Sequence, residues 1–296
     1  MRTPPQLAIP SSAMAVTAEV KRLLRAADVG NIIPTPKSQI LACASLVQMG
    51  EMDLAEYEES LSDLAFGFFH KTIRKVLGFL DRRTEQFYVD PHMHDSRKTF
   101  VTYHEVIHQI APWQHISRTE DDEVTLSLEC DTLFESEANY GAAEILFQCD
   151  RFEAEVRDFD VSIASALHLA QKYEASRHSA LRRFVERNHR PCLLMILKAT
   201  KRENASGGTS FFVSYSIPST PFTLRFGDPL QLQFINPDHE LGHILNNGRM
   251  GEIVLTDLNG FERACGVECY CNNYHTFALI YPNDLAPSRR TAAFRF

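Results

Sequence analysis

The stretch Phe100-Val-Thr-Tyr-His-Glu-Val-Ile-His-Gln-Ile110 contains the pattern His-Glu-x-x-His. On an α-helix, residues four apart lie on one face, so His104 and His108 can present two imidazoles to a single metal ion. Glu105 projects beside the pair. Zinc held there would lower the pKa of a bound water from about 16 to about 7. An adjacent carboxylate can take the released proton and later deliver it to a leaving amine. These are the residues that metal-assisted peptide hydrolysis requires. The apolar residues around the motif, Phe100, Val101, Tyr103, Val106, Ile107 and Ile110, predict a buried helix. Two histidines without compensation would be costly to desolvate there.

A site of this kind needs a third protein ligand. The metzincin continuation, with Gly and His after the motif, is absent: Ala111 and Gln114 occupy those positions, and His115 falls one place late. Pro112 also interrupts the helix. Downstream, Leu133 to Leu146 is rich in Ala, Glu and Leu and reads as a helix. Glu135 and Asn139, spaced i, i+4, share a face that Leu128, Ala142 and Leu146 extend. Glu137 lies about 200° around the helix from Glu135 and is expected to point elsewhere. Glu135 is therefore the expected carboxylate ligand. Asn139 is its neighbour, able to accept a ring N–H and fix a histidine tautomer. No residue stands out as the oxyanion's partner; Tyr140, His115 and His92 are candidates.

Arg97 to His108 (RKTFVTYHEVIH), followed by Glu135 to Leu146 (ESEANYGAAEIL), resembles the ImmA/IrrE family of zinc metallopeptidases. That family carries RxxFTLAHEIGH and then ExxAN-FAA-LLMP. The resemblance implies a zincin-like fold with zinc, or alternatively manganese, on His104, His108 and Glu135, and Glu105 as base. It implies a protein substrate, often a helix-turn-helix repressor cleaved to switch on stress or mobile-element genes. A hairpin feeding the metal-binding helix is implied too, and its edge strand can bind a substrate backbone as an added strand. Ile107 stands where the family has Gly, and Phe147-Gln148 where it has Met-Pro. Neither is a ligand, but the bulk of Ile107 is expected to narrow the pocket. A rival of another class is a non-catalytic, zincin-shaped regulator that binds a protein partner or DNA.

The 296 residues suffice for two domains, and the 44% hydrophobic content is that of a globular protein. A net charge of −8 argues against wholesale affinity for nucleic acid or anionic membrane. No apolar run reaches the ~20 residues that span a bilayer. The N-terminal stretch, broken by Pro10, Ser11 and Ser12, does not read as a signal peptide. Seven scattered cysteines, an odd number, fit reduced thiols in a cytoplasm. Cys265, Cys269 and Cys271 could be a structural zinc site, a redox sensor or small apolar residues on a strand, and the last is the simplest reading.

The expected class is α+β in three parts. Residues 1–150 form a helical zincin-like domain with a small hairpin. Its helices span Thr17 to Ala27, Gln39 to Met49 and Asp53 to Val76, and its strands Val76 to Leu80 and Gln86 to Val89. Residues 151–188 form a helix-turn-helix-like segment, with Ser162 capping Ile163 to Tyr173 and Ser176 capping Arg177 to Asn188. Arg177, His178, Arg182, Arg183 and Arg187 make its last helix basic, which would suit either DNA or simple packing. Residues 189–296 form a β-rich domain of short runs, Phe222 to Phe226 and Leu230 to Phe234 among them; by position it resembles the GAF-like sensor of one family branch. A second His-Glu-x-x-His occupies His239 to His243, without an ExxAN block after it.

Overall fold

The computed structural model describes residues 10–30, 32–48, 78–81, 85–89, 93–114, 128–200, 208–228, 232–247, 250–285 and 289. The helix expected from Asp53 to Val76, and the candidates His92 and His115, lie outside them. The described residues form two compact units, one of residues up to 149 together with 172–176, the other of 150–171 and those from 177 onward. Helices and a mainly antiparallel set of strands make the class α+β, as expected. Among the described residues no helix is long and apolar enough to cross a membrane.

The first unit contains α1 (Ala13–Ala26), α2 (Lys37–Cys43), β1 (Val47–Gln48), β2 (Gly78–Asp81), β3 (Gln86–Val89), α3 (Asp95–Ile110) and α4 (Leu128–Phe147). The expected hairpin is present, with β2 antiparallel to β3. The helix expected to run to Met49 stops at Cys43 instead. Ser45 takes φ 55, which no helix accommodates, and Val47 then pairs with β3 in parallel.

Helix α3 starts at His94, whose ring Nδ1 accepts the N–H of Ser96, and has Asp95 in its first turn. It ends at Ala111 because Pro112 follows and disfavours helical geometry in the residue before it. From Thr102 to His108 every residue is buried, so this helix runs through the core rather than along its surface. It packs against α4, which also packs against α1. Tyr103 Oη donates to the carbonyl of Thr35 at 2.8 Å, and Thr35 Oγ1 donates to the carbonyl of Ile145 at 3.0 Å. One short segment thereby fastens the middle of α3 to the end of α4.

The second unit contains α5 (Asp150–Val156), α6 (Ile163–Lys172), α7 (Arg177–Glu186), β4 (Leu193–Thr200), β5 (Ser210–Pro218), α8 (Thr220–Phe226), β6 (Phe234–Ile235), α9 (Glu240–Asn247), β7 (Met250–Thr256), β8 (Glu262–Cys271) and β9 (Thr276–Pro282). Ser162 caps α6 as expected, its Oγ accepting the N–H of Ser165 at 3.1 Å. The six strands form one antiparallel sheet in the order β6-β5-β4-β9-β8-β7. Leu193 to Leu197 are buried on both faces, which explains the unbroken apolar run at that point.

Phe222 to Phe226, expected as a strand, is helical. Ser219 caps the helix through Phe222 N–H, Pro221 lies in its first turn, and Phe222 stacks on Phe226 one turn later with centroids 4.8 Å apart. Of the strand expected from Leu230 to Phe234, the described part meets β5 at its end, where Gln233 accepts the N–H of Val213 and the ladder runs from Phe234 to Ile235. Cys265 and Cys269 lie on one face of β8, in or against the core that Val267 and Ile280 share. Burial pushes the Cys265 thiol up to about 11 and the Cys269 thiol up to about 12, the opposite of an activated thiol.

Candidate metal centre

Helices α3 and α4 supply the site. His104 and His108 follow one another along α3 with Nε2 atoms 3.1 Å apart and rings nearly perpendicular. Glu135 on α4 sends one carboxylate oxygen to each: Oε2 lies 3.3 Å from His104 Nε2 and Oε1 lies 3.5 Å from His108 Nε2. Both histidines are buried, whereas the Glu135 side chain is 45% exposed, so the cluster opens to solvent on the α4 side. Among the described residues this is the one group of three or more His, Cys, Asp or Glu side chains close enough to share an ion.

Each imidazole has an amide oxygen behind it. His104 Nδ1 faces Asn139 Oδ1 at 3.3 Å, the partner expected from the sequence. His108 Nδ1 faces Gln114 Oε1 at 2.8 Å, which the sequence reading missed. An amide oxygen only accepts, so each Nδ1 carries the hydrogen and each Nε2 turns a lone pair inward. Two lone pairs and a carboxylate then converge on one point. Their mutual spacing of 3.1 to 3.5 Å is that of ligand atoms about 2.0–2.1 Å from a tetrahedral centre. The donor set therefore fits a divalent metal such as zinc.

The same atoms also attract a proton, which competes with a cation for the inward Nε2 positions. Burial works against the charged form of Glu135, but hydrogen bonds and charges from His104 and His108 outweigh it and hold the carboxyl far below the usual carboxylate range. Burial likewise pulls the His104 imidazole down. The hydrogen bond to Glu135, with the charges of Glu105 and Glu135, overrides that and leaves it raised. Glu105, only 3% exposed, is thus a buried carboxylate whose field reaches the site. Tyr140, a candidate for oxyanion binding, has its hydroxyl 3.1 Å from Thr17 Oγ1 of α1.

The sequence of residues 68–185 matches the peptidase M78 family model, described as the IrrE N-terminal-like domain. That segment is similar to the IrrE N-terminal domain. A solved structure titled a Mycobacterium tuberculosis transcriptional regulator aligns with a TM-score of 0.51 over 90% of this chain and 75% of its own, at 11% sequence identity; that likeness is one of fold. No curated protein matches the chain.

Within this IrrE-like segment the departure at Ile107 has a physical counterpart. The family has Gly on the metal-binding helix and Phe in the second block; this chain has Ile107 and Gly141 at those places. A Cβ on Gly141 would lie 2.5 Å from Ile107 Cδ1, 2.6 Å from its Cγ1 and 2.9 Å from Val16 Cγ1. The bulk has moved across the helix contact, so α4 absorbs Ile107. Gly141→Ala is expected to destabilise the protein by about 1–3 kcal/mol, because Ile107 and Val16 are buried and β-branched and cannot swing away. Thermal melts of Gly141→Ala, Ile107→Ala and the double variant would show it: the double should be less destabilised than the sum. Strict additivity would refute the packing account. At the end of α4, Gln148 has φ 54, which the family's proline could not adopt.

The second His-Glu-x-x-His is built differently. His239 lies just before α9 and its ring Nδ1 accepts the N–H of Leu241 at 3.1 Å, acting as a helix cap. His239, Glu240 and His243 are all exposed. Gly242 permits close backbone approach, since a Cβ there would lie 2.0 Å from the carbonyl oxygen of Asn236. Gly242→Ala is expected to lower the melting temperature by displacing α9, while metal content stays at the wild-type level. Loss of metal in that variant would give this motif a ligand role.

Proposed function

We propose that this chain is a zinc-dependent endopeptidase that cleaves a regulatory protein, with a helix-turn-helix repressor as the substrate class. One observation carries the reading: two inward-facing Nε2 atoms and the Glu135 carboxylate converge beside the buried Glu105, within a segment of a peptidase family. When bound, the divalent ion supplies Lewis acidity and makes hydroxide accessible near neutral pH. His104, His108 and Glu135 would hold it; manganese is the alternative metal. Asn139 orients the His104 ring. Glu105 takes a proton from the attacking water as the new C–O bond forms, and returns it to the nitrogen as the C–N bond breaks.

In this reading residues 1–150 are the peptidase, 151–188 a helical segment and 189–296 a sensor domain, all in the cytoplasm. DNA is not the favoured partner. Of the basic residues on α7, Arg177 donates to Tyr270 Oη, Arg182 pairs with Glu186, and Arg183 is buried. A second reading, regulation without cleavage, draws on the fold shared with a structure titled a transcriptional regulator. The purified protein should be incubated with candidate repressors, with and without zinc or manganese, and the products read by mass spectrometry. A metal-dependent cut at one site is expected. A stable complex left intact would favour the second reading.

A further inference from the structure

We propose that Gln114 and Glu137 are the positioning pair that keeps His108 in its metal-binding tautomer, an assignment that rests on His104, His108 and Glu135 being metal ligands. Glu137 lies two residues beyond Glu135 on α4, but it faces away from the centre and is 1% exposed. Its Oε2 accepts Trp113 Nε1–H at 2.8 Å and Gln114 Nε2–H at 2.7 Å, and its Oε1 accepts the hydroxyl of Ser12. Ser12 occupies the N-cap position of α1 and makes no side-chain capping bond there. The carboxylate thus gathers donors from the N-cap of α1 and from the segment that follows α3.

The chemistry of these groups fixes the direction of every bond. A carboxylate accepts and an indole N–H donates. Gln114, held to Glu137 through its NH2, must turn its carbonyl toward His108. That carbonyl also accepts only, so His108 Nδ1 carries the hydrogen and Nε2 keeps its lone pair for the metal. A flipped amide would set its carbonyl against the carboxylate of Glu137 and its NH2 against Nδ1. It would select the other tautomer, whose Nε2–H points into the site and cannot ligate. Gln114 is 0% exposed, so water does not compete for these bonds. His104 is held less firmly: Asn139 is exposed and its contact is longer, at 3.3 Å. Gln114 can reach His108 because the chain bends at Ala111-Pro112 and brings residue 114 back beneath the last turn of α3.

The tests are Glu137→Gln, which keeps shape but can donate as well as accept, and Gln114→Met, which keeps volume and removes the amide. Zinc affinity would be measured by chelator competition. The His108 tautomer would be read from imidazole 15N shifts of the metal-free protein. Both variants are expected to bind zinc about 10–100-fold more weakly, and His108 is expected to shift from the Nδ1–H form toward a mixture. Wild-type affinity and tautomer in either folded variant, even with a lower melting temperature, would make the pair merely structural and overturn the proposal. If wild-type protein binds no zinc, or His108→Ala binds it as tightly, the ligand assignment itself fails. The 15N spectra still decide the tautomer lock in that case.

Discussion

Glu105→Gln is expected to bind zinc within a few-fold of wild type and to cleave its substrate about 10²–10⁴-fold more slowly, the contribution typical of a positioned acid–base group. The substitution is isosteric, so the packing around a side chain that is 3% exposed is kept. Affinity should change little because two effects oppose. The Glu105 charge attracts a cation, but it also helps to hold the His104 imidazole up, where protons compete for Nε2. Removing the charge weakens both. The decisive comparison is cleavage at equal zinc occupancy, with metal content measured on the same samples. Undiminished cleavage by Glu105→Gln would exclude Glu105 as the base. Cleavage that persists in both proteins after chelation would point to a different nucleophile altogether.

The centre was legible to different depths, and the differences follow from how far along the chain each contact reaches. His104, His108 and Glu105 share one helical turn, so periodicity alone places them together. The choice of Glu135 over Glu137 also followed from helical angle, and the structure sets Glu135 against both histidines. The same angle put Glu137 elsewhere, correctly, but could not say that elsewhere was the back of His108. That contact requires Gln114 to fold under α3 and meet a residue 23 positions later, and no periodic pattern encodes such a meeting. Gly141 was visible as a glycine within a helical block, yet its purpose depends on the side chain it faces across the helix contact. Phe222 to Phe226 differs in kind: its aromatic run has strand character, but Ser219 and Pro221 ahead of it form a helix start that prevails. Strand β1 was hidden because two residues gain strand character only by pairing with β3, some forty positions downstream.

Of the two His-Glu-x-x-His copies, only the first should confer metal-dependent stability. Structural zinc sites bind with about 10–16 kcal/mol over four ligands, or roughly 2.5–4 kcal/mol each, so His108→Ala should weaken binding by about two to three orders of magnitude. A ligand at a thousandfold excess over Kd stabilises the folded state by about 4 kcal/mol, whereas one present near Kd contributes only about 0.4 kcal/mol. At a zinc concentration chosen for the first condition in wild type, melting of the first unit should therefore rise by roughly 10 °C in wild type and by only about 1–4 °C in His108→Ala. The single tryptophan, Trp113, lies in that unit and reports its unfolding separately from the sheet. His239→Ala should keep the full zinc-dependent rise, because the ring it removes is an exposed cap on α9 rather than one of two converging donors. The opposite pattern, with the rise surviving His108→Ala and vanishing in His239→Ala, would move the metal to the second motif and leave the peptidase reading without a site.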